Sequence, residues 1–225
     1  MANITVSTDV DVLLQSANNA AARDSLGVIE YPFTTDFISG VQQTRNLTTI
    51  TDSSGFSQNA NLTSVYIGSN VTSLGTNSFF NSTNLTSVTL GNNLTSLGQY
   101  SLRSIGITSI NIPDSVTSIG YGAFDGTPIT SATFGVNSGI TAISGNAFYG
   151  TSLTSFTIPA SVTSIAYYAF AFSNSLSRLE CLALTAPTAS SGAFYYTPAL
   201  SQIHVPAAAT GYGSTYAGLT VVADL

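Results

Sequence analysis

Side chains able to do bond-making chemistry are few. Among 225 residues, His204 is the only histidine and Cys181 the only cysteine, lysine is absent, and Lys+Arg total four. A lone histidine excludes a multi-histidine metal site, and any Ser-His-Asp triad would have to use it. A glycosidase needs two carboxylates facing each other about 5–10 Å apart. Asp114 and Asp125 are close in sequence, but both fall in turn-like stretches at different corners of the pattern described below. No phosphate-binding glycine loop is present, because the glycines recur at a fixed interval instead. One cysteine excludes an intrachain disulfide, and Cys181 sits in an apolar slot, which reads as a packing role. The expectation is a protein that is not an enzyme, with no catalytic residues, no cofactor and no metal.

The elements that position these residues are written as a repeat. Leu62-Thr-Ser-Val65-Tyr-Ile67 is followed by Val71-Thr-Ser-Leu74-Gly75 and Ser78-Phe79, and the pattern returns from Leu85, Ile107, Ile129, Leu153, Leu176 and, in part, Leu200. The starts lie 22 to 24 residues apart, a period that marks a solenoid. Positions 4 and 6 alternate with polar residues, as strands do. Position 1 is out of phase, so the chain bends there. Gly75, Gly98 and Gly120 mark corners, and Ala123-Phe124, Ala147-Phe148, Ala169-Phe170 and Ala193-Phe194 close successive coils. One copy cannot bury both apolar faces, whereas stacked copies continue each column into the next coil. Seven parallel coils span about 35 Å.

The outward strand positions form two columns. One is Ser64, Ser87, Ser109, Ser131, Ser155, Arg178 and Gln202. The other is Tyr66, Thr89, Asn111, Thr133, Thr157, Glu180 and His204. Together they are the candidate binding surface, with Glu180 the expected neighbour of His204. Tyr167, Tyr168, Tyr195 and Tyr196 make a second patch, and tyrosine is a frequent contact residue. Charged residues are 6% and the formal charge is −6. Nucleic acid is excluded as a partner, since phosphate binding needs clustered Lys and Arg. No apolar run approaches the ~18 residues of a membrane span, so no membrane insertion is expected.

This wording resembles the BspA-type leucine-rich repeat family, whose unit reads roughly Leu-Thr-Ser-Ile-x-Ile-Pro-x-Ser-Val-Thr-Ser-Ile-Gly-x-x-Ala-Phe. Ile107 to Phe124 and Leu153 to Phe170 match it almost letter for letter. Cys181, Pro187-Thr188, Ala193-Phe194, Ile203-His204-Val205-Pro206 and Tyr212/Tyr216 look like the family's C-terminal end, with His204 where a Tyr is usual. The resemblance implies a right-handed leucine-rich repeat solenoid with short parallel β-strands. It implies adhesion or other contact functions only loosely, since function sits in sites and not in the fold.

Ahead of the repeats, Thr8 reads as an N-cap, and Val10, Leu13, Leu14, Ala17 and Ala21 fall on one helical face, ending at Leu26-Gly27. A helix is predicted over about 9–26, either capping the first coil or packing against copies of itself. Asp11 to Gly27, with its Ala-Ala-Ala-Arg23-Asp-Ser-Leu26-Gly27, is similar to the N-terminal region of tailed-phage fibre and other virion proteins. Met1 to Val6 has no basic region and no apolar core, unlike a secretory signal; a cellular adhesin would need one and a virion protein would not. Leu47-Thr-Thr-Ile50 reads as a degenerate first repeat, with Gly55-Phe56 in place of Ala-Phe.

The expected organisation is residues 1–31 as an attachment or oligomerisation helix, 32–61 as an N-terminal cap with the degenerate repeat, 62–206 as the solenoid and 207–225 as a C-terminal cap. The expected role is a phage virion structural protein, a fibre tip or a head- or tail-attached decoration. Its partners would be other virion proteins and a host cell-surface glycan or protein, and fibre analogy implies a homo-oligomer, a trimer. The rival reading is a cellular BspA-like adhesin or protein-interaction module.

Overall fold

The computed structural model describes residues 35–38, 41–44, 49–50 and 56–225, and for 35–38, 41–44 and Thr49 only the backbone is described. The predicted helix over 9–26, with Val10, Leu13, Leu14, Ala17 and Ala21, lies outside the described residues.

Strands β1 (Thr35–Ile38) and β2 (Val41–Thr44) form an antiparallel pair. The chain then alternates short and longer strands: β3 (Thr49–Ile50), β4 (Ser64–Tyr66), β5 (Ser73–Leu74), β6 (Ser87–Thr89), β7 (Ser96–Leu97), β8 (Ser109–Ile112), β9 (Ser118–Ile119) and β10 (Ser131–Phe134). It continues through β11 (Ala142–Ile143), β12 (Ser155–Ile158), β13 (Ser164–Ile165), β14 (Arg178–Cys181), β15 (Thr188–Ala189), β16 (Gln202–Val205), β17 (Thr215–Tyr216) and β18 (Leu219–Ala223). Even-numbered strands stack into one parallel row and β3 to β15 into a second. The ladder is interrupted between β6 and β8, β10 and β12, and β9 and β11. At both ends the outermost described strand, β1 or β17, is antiparallel.

The first coil departs from the expected reading. Thr49 and Ile50 pair with Ser73 and Leu74, so Thr49–Ile50 holds the second strand position of a coil. Val41–Thr44 supplies the first position, beside Ser64–Tyr66. Leu-Thr-Thr-Ile and Val-Thr-Ser-Leu are both four-residue apolar brackets, and sequence alone does not distinguish the two halves there. The parallel row therefore begins before Leu62 and runs past Pro206 into β18.

The apolar columns are continuous. Phe124, Phe148, Phe170 and Phe194 stack with centroids 5.2, 5.4 and 5.5 Å apart and rings 8, 7 and 12° from parallel. Leu102 takes the place of a ring one coil earlier and is fully buried. Each of these rings, and Phe79 and Leu102 before them, lies in a turn bracketed by two residues at positive φ, four apart: Asn77 and Asn81, Tyr100 and Ser104, Gly122 and Gly126, Asn146 and Gly150, Tyr168 and Phe172, Gly192 and Tyr196. Thr127, Thr151 and Thr197 lock that turn by donating their hydroxyls to the carbonyls of Phe124, Phe148 and Phe194. The Thr of the Thr-Ser wording has a second job. Thr95, Thr117, Thr130 and Thr163 donate hydroxyls to a carbonyl of the preceding coil, at 2.8 to 3.4 Å.

Backbones of successive coils approach closely at the Gly75–Gly98–Gly120 corner. A Cβ on Gly98 would stand 2.6 Å from the Gly75 carbonyl carbon and the Leu74 oxygen, both main-chain atoms unable to swing aside. Gly150 is the opposite case: its φ is +62° and nothing lies within 4 Å of a Cβ. Gly98→Ala should cost more than about 2 kcal/mol, a fall of roughly 4–8 °C in melting temperature at this size. Gly150→Asn should be within ~1 kcal/mol of wild type, because Asn tolerates the left-handed region. Thermal melts of the two variants check this, and equal melting temperatures would refute the steric account.

Candidate functional site

Three surfaces are built by these coils. The first is the outward face of the long strand row, where alternation forces every second side chain out. Cross-strand register pairs Ser64 with Ser87 and Tyr66 with Thr89, Ser109 with Ser131 and Asn111 with Thr133, and Ser155 with Arg178 and Thr157 with Glu180. Gln202 lies beside Thr220, and His204 lies between Glu180 and Val222. Within each run of paired strands the two predicted columns are therefore lines in register, with breaks in the pairing at β6/β8 and β10/β12. Their side chains are exposed, apart from half-buried Ser64, Glu180 and His204.

Polar contacts tie the C-terminal part of this face together. The Thr157 hydroxyl donates to Glu180 Oε2 at 3.1 Å, and Arg178 Nε donates to Glu180 Oε1 at 2.8 Å. Arg178 Nη1 lies 3.5 Å from His204 Nε2. His204 Nδ1 is 2.9 Å from Asp224 Oδ1. The expected neighbour Glu180 is therefore taken by Arg178, and the partner of His204 is Asp224, which no sequence reading singled out. The reason is β18: it adds a parallel row after β16 and carries the chain end over His204. These exposed pairs order side chains more than they stabilise the fold.

The second surface is a notch of about 350 Å³ between the far ends of β10 and β12. Pro159, Ala160 and Ser161 form its floor, with Phe134, Val136 and Ser138 on one side and Leu182 on the other. It exists because five residues lie between Phe134 and Ile140, whereas three lie between Ile112 and Val116 and between Ile158 and Val162. The Asn137 amide donates to Asp114 Oδ1 at 2.9 Å and pins the longer loop, which gives Asp114 a structural role. The 24-residue spacing from Ile129 to Leu153 was the available signal.

The third surface is the turn edge, the wall opposite the long strand row. Phe156, inward on β12, meets Phe148 and Phe170 of that edge at 4.8 Å each, so the core lies between the two walls. Tyr167 and Tyr168 stack at 3.8 Å, and Tyr168 touches Tyr195 at 5.6 Å. Phe172 contacts Tyr149, Tyr195 and Tyr196 at 5.2, 5.6 and 5.4 Å. A hydrogen bond with Tyr167 pushes the Tyr168 phenol above its ordinary value. The tyrosines noticed in sequence are thus one cluster, and Tyr149 and Phe172, which were missed, complete it. Earlier on the same edge, Arg103 lies over the Tyr100 ring at 4.9 Å and 3.0 Å from Asp125. The Arg103–Asp125 pair has ion-pair distance but not hydrogen-bond alignment, since Arg103 Nε has no aligned acceptor. Burial pushes the Asp125 carboxyl up and Arg103 pulls it back down. Asp125 serves this pair and Asp114 the loop.

Cys181 is buried behind the C-terminal cap, as its apolar slot predicts. The Tyr212 hydroxyl lies 3.2 Å from its sulfur and donates to the Ala183 carbonyl at 2.9 Å. Tyr216 donates to the Pro187 carbonyl at 2.9 Å. Burial pushes both phenols up. It also pushes the Cys181 thiol up, outweighing the lowering effect of the Tyr212 and Ala183 contacts. Less thiolate than usual is present at any given pH, and only thiolate reacts. Ellman's reagent at pH 8 should leave the native chain unmodified and titrate one thiol in denaturant; a fast stoichiometric reaction of the native chain would overturn the buried-cap account.

Among the described residues no three His, Cys, Asp or Glu side chains group as a metal site, and no helix is long and apolar enough to cross a membrane. Among curated proteins none matches this chain. Of the solved structures, the pneumococcal vaccine antigen PcpA is similar at 18% identity, over 68% of this chain and 48% of that one, with a TM-score of 0.53. The chain spans about half the length of that structure. A leucine rich cell surface protein from Faecalibacterium prausnitzii A2-165 is similar at 17% identity, over 72% of this chain and 79% of that one, with a TM-score of 0.35. A sequence profile described as BspA type leucine rich repeat region matches residues 48–178 and, again, 105–216. With the profile covering most of the chain and its parallel coils in register, the chain belongs to the BspA-type leucine-rich repeat family.

Proposed function

We propose that this chain is a non-enzymatic recognition module carried on a tailed-phage virion, as a fibre tip or as a head- or tail-attached decoration. The solenoid meets a host cell-surface protein or glycan, and the N-terminal segment assembles the chain with copies of itself or with other virion proteins. The observation that carries the recognition part is the long strand row. Its three runs of paired strands line one wall and are each in register, hydroxylic over the first five rows, and charged or amide-bearing over the last two. Such a face suits a partner recognised by shape and hydrogen bonds. The placement on a virion is supported by the likeness of Asp11 to Gly27 to phage virion proteins.

The second reading is a cellular surface module. The family's fold supports it, and so does the fold likeness to PcpA, a pneumococcal vaccine antigen. Both readings require the solenoid to bind, and they differ in what the N-terminal segment attaches to.

Two measurements test the proposal. Fluorescently labelled full chain should stain at least one bacterial strain saturably, with competition by unlabelled chain. Ser131→Arg with Ser155→Arg should lower that staining at least about tenfold, the scale of one lost hot-spot contact. A face that tolerates both arginines is not the contact surface. Sedimentation should give a trimer for the full chain and a monomer once residues 1–32 are removed. A monomer in both cases removes the fibre arrangement and leaves a decoration or a cellular module.

A further inference from the structure

The left-handed positions of the turn edge are filled in two ways. In the coils closing at Phe79 and Phe124 they hold Asn77 and Asn81, then Gly122 and Gly126. Asn and Gly are the residues that enter this region at least cost. Further along they hold Tyr168, Phe172 and Tyr196, at φ of 60, 59 and 53°, while the coil closing at Leu102 has a single ring there, Tyr100 at 54°, edge-on to Tyr121 and under Arg103. Bulky side chains at such angles are uncommon and strained. Strain of this kind collects where a protein uses a side chain for something other than folding. These three rings are not core. Phe172 and Tyr196 are exposed, and the buried ring of each coil is the neighbouring Phe170 or Phe194.

With Tyr149, Tyr167 and Tyr195 they form one aromatic strip across three coils. Residues 145–150, 167–172 and 191–196 contain no charged side chain, and their exposed side chains include no Leu, Ile, Val or Met. A lipid surface would be met by aromatic and aliphatic side chains together with flanking Lys or Arg, and an apolar helix by aliphatic ones; this strip offers neither cations nor exposed aliphatics. A charged ligand would be met by its counter-charge. An uncharged field of phenol and phenyl rings, with hydroxyls at the rim, is instead the chemistry that takes the C–H face of a sugar ring by stacking while phenols exchange hydrogen bonds with its hydroxyls. Ring centroids in the stacked Phe column of this edge repeat every 5.2 to 5.5 Å. That is about the advance of an extended glycan chain per pyranose, so successive sugars would lie over successive coils.

We infer that the turn edge around Tyr149, Tyr167, Tyr168, Phe172, Tyr195 and Tyr196 is a binding site for a neutral oligosaccharide, separate from the strand face and lying along the solenoid axis. For its biological setting, though not for its geometry, this rests on the recognition reading above. It names a ligand class and a wall of the molecule which that reading leaves open.

The test is isothermal titration of the full chain with neutral hexasaccharides of β-linked glucose, α-linked glucose and N-acetylglucosamine, beside the corresponding disaccharides. At least one hexasaccharide should saturate with a Kd below about 1 mM. Its disaccharide should bind at least tenfold more weakly, since it covers fewer coils. The triple variant Tyr168→Asn, Phe172→Gly, Tyr196→Asn removes three rings and installs the residue types that other coils carry at those positions. It should keep or raise the melting temperature and lose at least tenfold in affinity. No binding by any hexasaccharide overturns the inference, and so does binding that the triple variant leaves unchanged. A concentration-dependent increase in mass that disappears in the triple variant would make the edge a contact between copies of this chain, and would overturn it as well. Cell staining without sugar binding removes the glycan site and leaves the recognition reading standing. Sugar binding without staining of any strain does the reverse.

Discussion

Each coil depends on the next. A turn such as Gly120 to Thr127 cannot satisfy its own backbone. The Gly122, Phe124 and Gly126 amides donate to the Gly145, Ala147 and Tyr149 carbonyls one coil on, at 2.9 to 3.0 Å. The strand rows do the same on the other sides. Buried amides and carbonyls must be paired, so the distance between coils is set by a hydrogen bond, and every inward side chain is stacked at that spacing. The Phe column, the glycine corner and the hydroxyl bonds of Thr95, Thr117, Thr130 and Thr163 are consequences of this pitch. It also leaves two open edges, and an unpaired strand edge invites pairing with another chain. Antiparallel β1 and β17 occupy those edges, and Tyr212 and Tyr216 fill the apolar end behind β17.

Because one pitch governs every coil, the repeating part of the fold was legible in the sequence. Val65, Ile110, Leu179 and Ile203 point inward and Ser109, Ser131 and Ser155 point outward, as alternation requires. Departures from the repeat were legible only in part. Leu47-Thr-Thr-Ile50 has the right letters, but its described part, Thr49–Ile50, belongs to the other half of its coil, since pairing partners and not spacing decide which row a strand joins. Asp224 reaches His204 through an additional strand that carries none of the repeat wording. The notch arises from two extra residues after Phe134, and their effect depends on the shorter loop beside them. The six-ring edge was half visible: adjacent tyrosines stand out, but Tyr149 and Phe172 join them only once turns from successive coils lie side by side.

The hydroxyl-rich composition divides between two roles. Thr95 and Thr163 look like surface decoration, yet they bond the preceding coil and belong to the scaffold. Ser109, Ser131 and Ser155 at the long strand row have no such duty among the bonds formed there, and replacing them would leave the pitch untouched. The same division runs through the turn edge. Phe148 and Phe170 hold the coils together, while Tyr149 and Tyr167 lie outside them.

The positive-φ positions separate stability from use. A solenoid selected only for stability would place Gly or Asn at all of them, because each bulky residue there costs about 1 kcal/mol or more. The coils around Phe79, Phe124 and Phe148 keep to that rule, Tyr100 and Ser104 break it in the coil of Leu102, and Tyr168, Phe172 and Tyr196 break it with three rings in adjacent coils. Stacking among the rings returns part of the cost, about 0.5–1.5 kcal/mol for a good pair. It does not explain why rings stand there at all, since the Asn and Gly coils close equally well without them. A scaffold whose pitch is fixed by its backbone can carry such a load locally, because strain at an exposed turn is not passed to the stacked phenylalanines beneath it. The edge is thus free to vary in chemistry while the coil under it stays the same.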